Sequence, residues 1–244
     1  MQLRICENYN VLSALAASEI IQIVKQKSNA VLCLASGDTP RLSYSLVTKI
    51  AKEESVDFTR CTFVGLDEWM GISPDNEGSC HYFLQKFVFK PLNISDDRFH
   101  LFNAHSTDME DECRMMDEII AKRGGIDLMV VGLGMNGHIG FNEPAESFSE
   151  YSHVVELDES TKTVGQKYFQ QDTPLTMGIT LGLRHLLESK KVILIANGAK
   201  KANILRKALK EKITPHLPAS ILRNHSNSLV IVDRAAASML TQIK

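Results

Sequence analysis

The sequence predicts an α/β fold, a doubly wound, mostly parallel sheet with helices on both faces. Three observations predict it. Short, near-continuous apolar runs recur along the chain, the pattern of strands buried on both faces. A polar turn and then apolar residues at helical spacing follow several of these runs, giving the strand, loop, helix order of a parallel sheet. No segment rich in Pro, Gly or Ser and no repeat interrupts the pattern, so residues 1–244 read as a single domain.

The elements follow in order. Residues 11–26, VLSALAASEIIQIVKQ, have apolar positions spaced for a helix. AVLCLA (30–35) is the first strand, about thirty residues in; it ends in the turn SGDTP, and a helix runs from Arg41 to Lys52. CTFVGL (61–66), IDLMVVGLG (126–134), KKVILIANG (190–198) and SLVIVD (228–233) are the further strands. A helical AKKANILRKALK follows the fourth strand and a short helical tail the last. Residues 145–175 are polar and loosely patterned, which makes them the candidate mobile segment.

Ligands of such sheets bind beyond the carboxyl ends of the strands, so the chemistry is expected in the loops. The first, Ala35-Ser36-Gly37-Asp38-Thr39-Pro40, has small and hydroxyl residues before a helix, where backbone N–H groups favour an anion. A plain turn with Thr39 as N-cap and Pro40 at the first helical position fits equally well. The second loop places Asp67 and Glu68 directly after a strand, either as a general base with a neighbour that tunes it or as a solvated turn. The third, GLGMNGHIGFNEP (132–144), combines four glycines with His138 and Glu143, a side chain suited to proton transfer and a carboxylate able to orient its ring. Its GLGMNG matches GxGxxG only superficially, because that fingerprint opens a helix directly and here His, Phe and Asn-Glu-Pro intervene. The fourth, Asn197-Gly198-Ala199-Lys200-Lys201, offers lysines at a helix start, as phosphate holders or as part of a solvated face.

Composition sets further bounds. The chain is 44% hydrophobic and 23% charged, as globular chains are, and its net charge of −2 argues against a surface for nucleic acid. The five cysteines are odd in number and none forms a CxxC pair, so free, mostly buried thiols are expected. The histidines show no metal-type spacing, so no metal is expected. The start of the sequence lacks the pattern of a signal peptide, and no run of about 18 apolar residues occurs, which together point to a cytoplasmic protein with no membrane partner.

LASGDTP, FVGLDEW, GLGMNGHIGFNEP, LTMGITLG and ANGAKKANIL together resemble the glucosamine-6-phosphate deaminase/isomerase family, from about residue 10 onward. The resemblance implies a Rossmann-like fold of the deaminase/6-phosphogluconolactonase type. It also implies an amino-sugar enzyme that isomerises and deaminates a hexosamine 6-phosphate, with no cofactor. Carried over position by position, Asp67 matches the base that abstracts the C2 proton, His138 the ring-opening acid/base, and Glu143 the carboxylate that orients it. Ser36, Gly37, Asp38 and Thr39 match the phosphate loop, Lys201 the phosphate lysine, and Lys167 lies near a second basic ligand that is usually arginine. One residue departs from the glucosamine pattern: Asn136 stands where D-G-H loops carry an aspartate, and it lacks the charge that would stabilise a histidinium. The N-G-H loop resembles the galactosamine-6-phosphate branch, so that epimer is expected ahead of glucosamine 6-phosphate.

The implied partner is a small-molecule sugar phosphate, and a homo-oligomer stays open. A 6-phosphogluconolactonase-like hydrolase is the nearest alternative, using His138 to activate water; the NEP ending and the Asp67-Glu68 pair count against it. A non-catalytic sugar-phosphate binder, or the effector domain of a sugar-responsive regulator, is the other. With a first strand thirty residues in, only one helix fits before the sheet, too little for a helix-turn-helix.

Overall fold

The computed structural model describes residues 1–240. Its centre is a seven-stranded sheet, parallel throughout, in the order β1-β10-β9-β6-β2-β3-β5. In chain order these are β1 (Gln2–Cys6), β2 (Val31–Leu34), β3 (Thr62–Val64), β5 (Phe99–His100), β6 (Leu128–Gly132), β9 (Val192–Ala196) and β10 (Ser228–Asp233). A second, antiparallel sheet has the order β4-β8-β7, from β4 (Asp67–Trp69), β7 (His153–Glu156) and β8 (Met177–Thr180).

Alternation along the central strands sorts the apolar residues into two layers. Val31, Cys33, Met129, Val131, Val192 and Leu194 pack on one face with α4 (Met109–Lys122), α6 (Leu183–Glu188) and α7 (Ala202–Lys210). Leu32, Leu34, Leu128, Val130, Ile193 and Ile195 pack on the other with α1 (Tyr9–Gln26), α2 (Asp38–Glu53) and α3 (Cys80–Leu84). Both faces are therefore covered, which explains why the strands carry unbroken apolar runs. All five cysteines are free and buried. Among the described residues, no helix is long and apolar enough to cross a membrane.

The amino ends of the strands are tied by one buried carboxylate. Asp127 accepts hydrogen bonds from Lys27 Nζ at 2.7 Å, Lys190 Nζ at 2.7 Å and the Val31 N–H at 2.8 Å. Burial alone would raise its pKa, but these donors outweigh it and hold the carboxyl below the usual range.

Several expectations are corrected. The first strand is β1, at the very start of the chain; QLRIC lies at a sheet edge, mostly solvent-exposed, so it has no apolar run to announce it. The argument that only one helix fits before the sheet therefore falls. The second strand is confined to Thr62–Val64, and the acidic pair after it belongs to β4, a strand of the small sheet. Helix α2 starts at Asp38 with Gly37 as its N-cap, so Thr39 and Pro40 are its second and third residues. Pro40 is tolerated because N–H groups in the first turn have no helical partner. The expected helical tail is a run of turns over 234–240, and its last residues, 241–244, lie outside the described residues. The segment 145–175, loosely patterned in sequence, contains regular structure in β7 and α5 (Glu159–Gly165), which leaves its expected mobility untouched.

Candidate active site

Strand order reverses between β2 and β6: from β2 the chain builds outward through β3 and β5, and from β6 through β9 and β10 in the opposite direction. The loops leaving the carboxyl ends of β2 and β6 diverge there and open a crevice. A cavity of ≈ 430 Å³ occupies it, lined by Ser36, Gly37, Asp38, Thr39, Asp67, His138, Lys167 and Lys201. Of the residues carried over through the family resemblance, Asn136 and Glu143 do not line it. They stand behind His138.

The loop after β2 ends at Gly37, whose φ of +114° is a conformation that favours glycine. The turn delivers the amino end of α2 to the cavity, where its unpaired N–H groups favour an anion. Tyr44 Oη supports the loop by donating to the Ala35 carbonyl at 2.7 Å, and Thr39 Oγ1 donates to Asn197 Oδ1 at 2.8 Å, tying it to the loop after β9. The Asp38 carboxylate takes cations instead of facing an anion: Arg41 Nη2 lies at 2.9 Å and Lys167 Nζ at 2.8 Å.

Asp67 opens β4 and is half-buried, open to the cavity. Burial pushes its carboxyl up to about 6, against the opposing effects of a thiol hydrogen bond from Cys80 and the charge of His138. Glu68, next on the strand, points away from the cavity. Its Oε1 accepts the N–H groups of Trp69 at 2.9 Å and Cys80 at 3.0 Å, and its Oε2 that of His81 at 2.8 Å. Burial pushes it up to about 7 despite these bonds, and its task is to hold the start of α3.

After β6 the chain makes a tight turn in which Gly137 N–H donates to the Gly134 carbonyl at 3.2 Å and Gly134 N–H to the His138 carbonyl at 3.0 Å. Gly134 is required by packing: a Cβ there would lie 2.2 Å from His138 Cδ2. No helix opens at this turn, since α5 begins only at Glu159, so the dinucleotide geometry is absent. His138 Nδ1 lies 3.2 Å from Glu143 Oε2 and 3.0 Å from Thr161 Oγ1. Asn136 braces both partners, donating from Nδ2 to Glu143 Oε2 at 2.8 Å and accepting the His138 N–H at 3.1 Å. Burial would raise the Glu143 carboxyl, but hydrogen bonds from His138, Thr161 and Asn136 and the charge of His138 hold it below its ordinary value. The ring is thus fixed through Nδ1, and its other nitrogen has no hydrogen-bond partner among the described residues.

Lys201 closes the short turn Ala199–Lys201 before α7 and reaches the cavity, whereas Lys200 is exposed and does not. Burial, then the positive charge of Lys167, pushes the Lys201 ammonium down to about 8. Lys201 forms no ion pair among the described residues, which leaves a half-buried cation lining the same cavity as the amino end of α2, the makings of an anion site.

Two residues at the site escaped the sequence reading. Thr161 touches His138 but lies in the loosely patterned 145–175, where nothing marked it. Cys80 was counted only among the free, mostly buried thiols, and the fold brings it beside Asp67.

The chain matches known proteins in sequence and in fold. The family model for glucosamine-6-phosphate isomerases/6-phosphogluconolactonase matches residues 7–231. The chain is 39% identical over 241 residues to glucosamine-6-phosphate deaminase of Clostridium botulinum (strain Alaska E43 / Type E3), covering 98% of this chain and 97% of that one. It is 38% identical over 242 residues to the enzyme of the same name from Thermoanaerobacter sp. (strain X514), covering 98% and 95%. A solved monomeric glucosamine-6-phosphate deaminase superposes with a TM-score of 0.95 at 36% identity, over 98% of this chain and 100% of that chain. The 6-phosphogluconolactonase of Trypanosoma brucei shares the fold, with a TM-score of 0.78 at 19% identity over 98% of each chain.

Proposed function

Because the chain belongs to the family of glucosamine-6-phosphate isomerases and 6-phosphogluconolactonases, we propose that it isomerises and deaminates a hexosamine 6-phosphate, releasing ammonia and a ketohexose 6-phosphate. One observation carries the reading: a carboxylate pushed up to about 6 by burial, a histidine backed by a buried carboxylate and a half-buried unpaired lysine converge on one cavity.

In this reading the phosphate sits at the amino end of α2, held by the Ser36, Gly37 and Thr39 loop and by Lys201. Lys167 joins it by exchanging Asp38 for the phosphate. His138, oriented by Glu143, moves a proton between the anomeric hydroxyl and the ring oxygen and opens the ring. Asp67 takes the C2 proton to give a cis-enolamine and returns it to C1. Water adds to the resulting ketose imine and ammonia leaves. No electron is gained or lost overall, so the chemistry calls for no redox cofactor.

Glucosamine 6-phosphate is the substrate favoured. The named relatives support it, and Asn136, on which the choice of the other epimer rests, braces His138 and Glu143 and does not line the cavity. The resemblance of the N-G-H loop to the galactosamine branch is the support for the other epimer. Incubating the protein with each hexosamine 6-phosphate and following ammonia tests both points. Faster release from glucosamine 6-phosphate is expected, and faster release from the galactosamine epimer reverses the choice of substrate. No ammonia from either, with hydrolysis of a phosphorylated sugar lactone, overturns the deaminase reading.

A further inference from the structure

The hydrogen bonds around Asp67 lead to a side chain that the mechanism leaves without a task. Cys80 Sγ lies 3.4 Å from Asp67 Oδ1 and accepts the Ser36 hydroxyl at 3.0 Å. Cys80 is 6% exposed and opens α3. Its backbone N–H is held by Glu68 Oε1 at 3.0 Å, so the strand that carries Asp67 also fixes the thiol beside it. Among the described residues, no other group donates a hydrogen bond to the Asp67 carboxylate.

We propose that Cys80 is a positioning residue, whose thiol sets the orientation of the Asp67 carboxylate and connects it through Ser36 to the phosphate end of the cavity. The proposal rests on the reading of Asp67 as the base.

The chemistry of the thiol suits that task. A carboxylate with no donor turns about its last bond, and the C2 proton is then presented to it in many geometries. A strong donor would fix the carboxylate but also stabilise its charged form and weaken it as a base. A thiol is a weak donor, so it orients Asp67 with little loss of basicity. Burial, followed by the charges of Glu68 and Asp67, pushes the Cys80 thiol far above its ordinary value, so it keeps its proton and its role as donor at neutral pH. Ser36 extends the chain of contacts to the phosphate loop. A phosphate that engages the Ser36 hydroxyl alters the hydrogen bond accepted by Sγ, a route by which binding at the remote group reaches the reacting end.

Titratable groups face Asp67 from every side. Cys80 approaches from α3, His138 from the loop after β6, Cys33 from β2 and Tyr44 from α2, while Glu68 is its neighbour on β4. Burial keeps Cys33 and Tyr44 protonated. Glu68 titrates at about 7, close enough to Asp67 to blur an activity profile, so the experiment must see aspartate alone.

Protein labelled with ¹³C at the aspartate carboxyls, with the Asp67 signal assigned by its loss in Asp67→Asn, gives that view. Carboxyl titrations and pH profiles of kcat/KM are measured for the wild type, Cys80→Ser and Cys80→Ala. In Cys80→Ser the stronger hydroxyl donor moves the Asp67 titration and the acid limb of the profile down together, by about half a unit or more. In Cys80→Ala both move up, and kcat falls on the order of tenfold while KM stays within about twofold. Unchanged titrations in both variants overturn the proposal, and so does a titration shift with wild-type kcat. Should Cys80→Ala fail to fold, Cys80→Ser, nearly the same shape, decides alone. A wild type that releases no ammonia overturns the deaminase reading instead, and the carboxyl titrations still report whether the thiol governs Asp67.

Discussion

Asp67 and Glu68 are neighbours on one three-residue strand and face opposite ways, Asp67 into the cavity and Glu68 into the backbone at the start of α3. Two isosteric substitutions separate their tasks. Asp67→Asn is expected to lower kcat by about 10³-fold or more while calorimetry still detects sugar phosphate. Glu68→Gln places an amide N–H against a backbone N–H and is expected to lower stability by about 1–3 kcal/mol, read as a drop in Tm.

The same pair sets a pH dependence. The proposed mechanism needs Asp67 ionised, so kcat/KM should rise with pH through about 6. Stability should move the other way. Both carboxyls titrate higher in the folded chain than in the unfolded one, so the stabilisation they give is full below about pH 4 and is lost as pH climbs through about 6 and 7. Denaturant melts of wild type and Asp67→Asn should therefore diverge between pH 4 and pH 8, with the variant gaining on the order of 1 kcal/mol at the higher pH.

Lys201, pushed down to about 8, is largely uncharged at pH 9 before a ligand binds. A phosphate dianion beside it restores the charge, so binding at that pH should draw a proton from solution. Calorimetric titration of a sugar phosphate in buffers of different ionisation enthalpy measures this uptake. Lys201→Met should abolish the uptake and weaken binding by about tenfold or more, as expected when a charge-assisted contact is lost.

Gly134→Ala tests the packing of the histidine loop. A methyl group 2.2 Å from His138 Cδ2 must displace the ring from Glu143. The expected result is a loss of about 10²-fold in kcat with sugar-phosphate binding nearly intact, since the proposed phosphate contacts lie on other loops.

The doubly wound parallel sheet was legible because its central strands are buried on both faces and so announce themselves as apolar runs. β1 and β5 were not, since edge strands need no such run and β5 is only two residues long. The three-stranded sheet was missed for a related reason: DEW reads as a polar loop until β8 is paired with it, a contact between residues 67 and 180 that no local pattern encodes. At the site, side chains carried on short loops between strong elements were readable, and the cavity gathers Ser36, Asp67, His138 and Lys201 as expected. The contacts that tune them were not. Cys80 reaches Asp67 across 13 positions and Thr161 reaches His138 across 23, distances over which spacing carries no information.

Asp127 and the two lysines that grip it lie at the opposite end of the strands from the cavity. This anchor of the scaffold lies at one pole and the cavity at the other, so the three residues that form it touch none of the loops around the cavity. A lineage could rewrite the loops at the cavity pole, one side chain at a time, while the anchor stays untouched. A single fold could in that way come to serve both lactones and amino sugars.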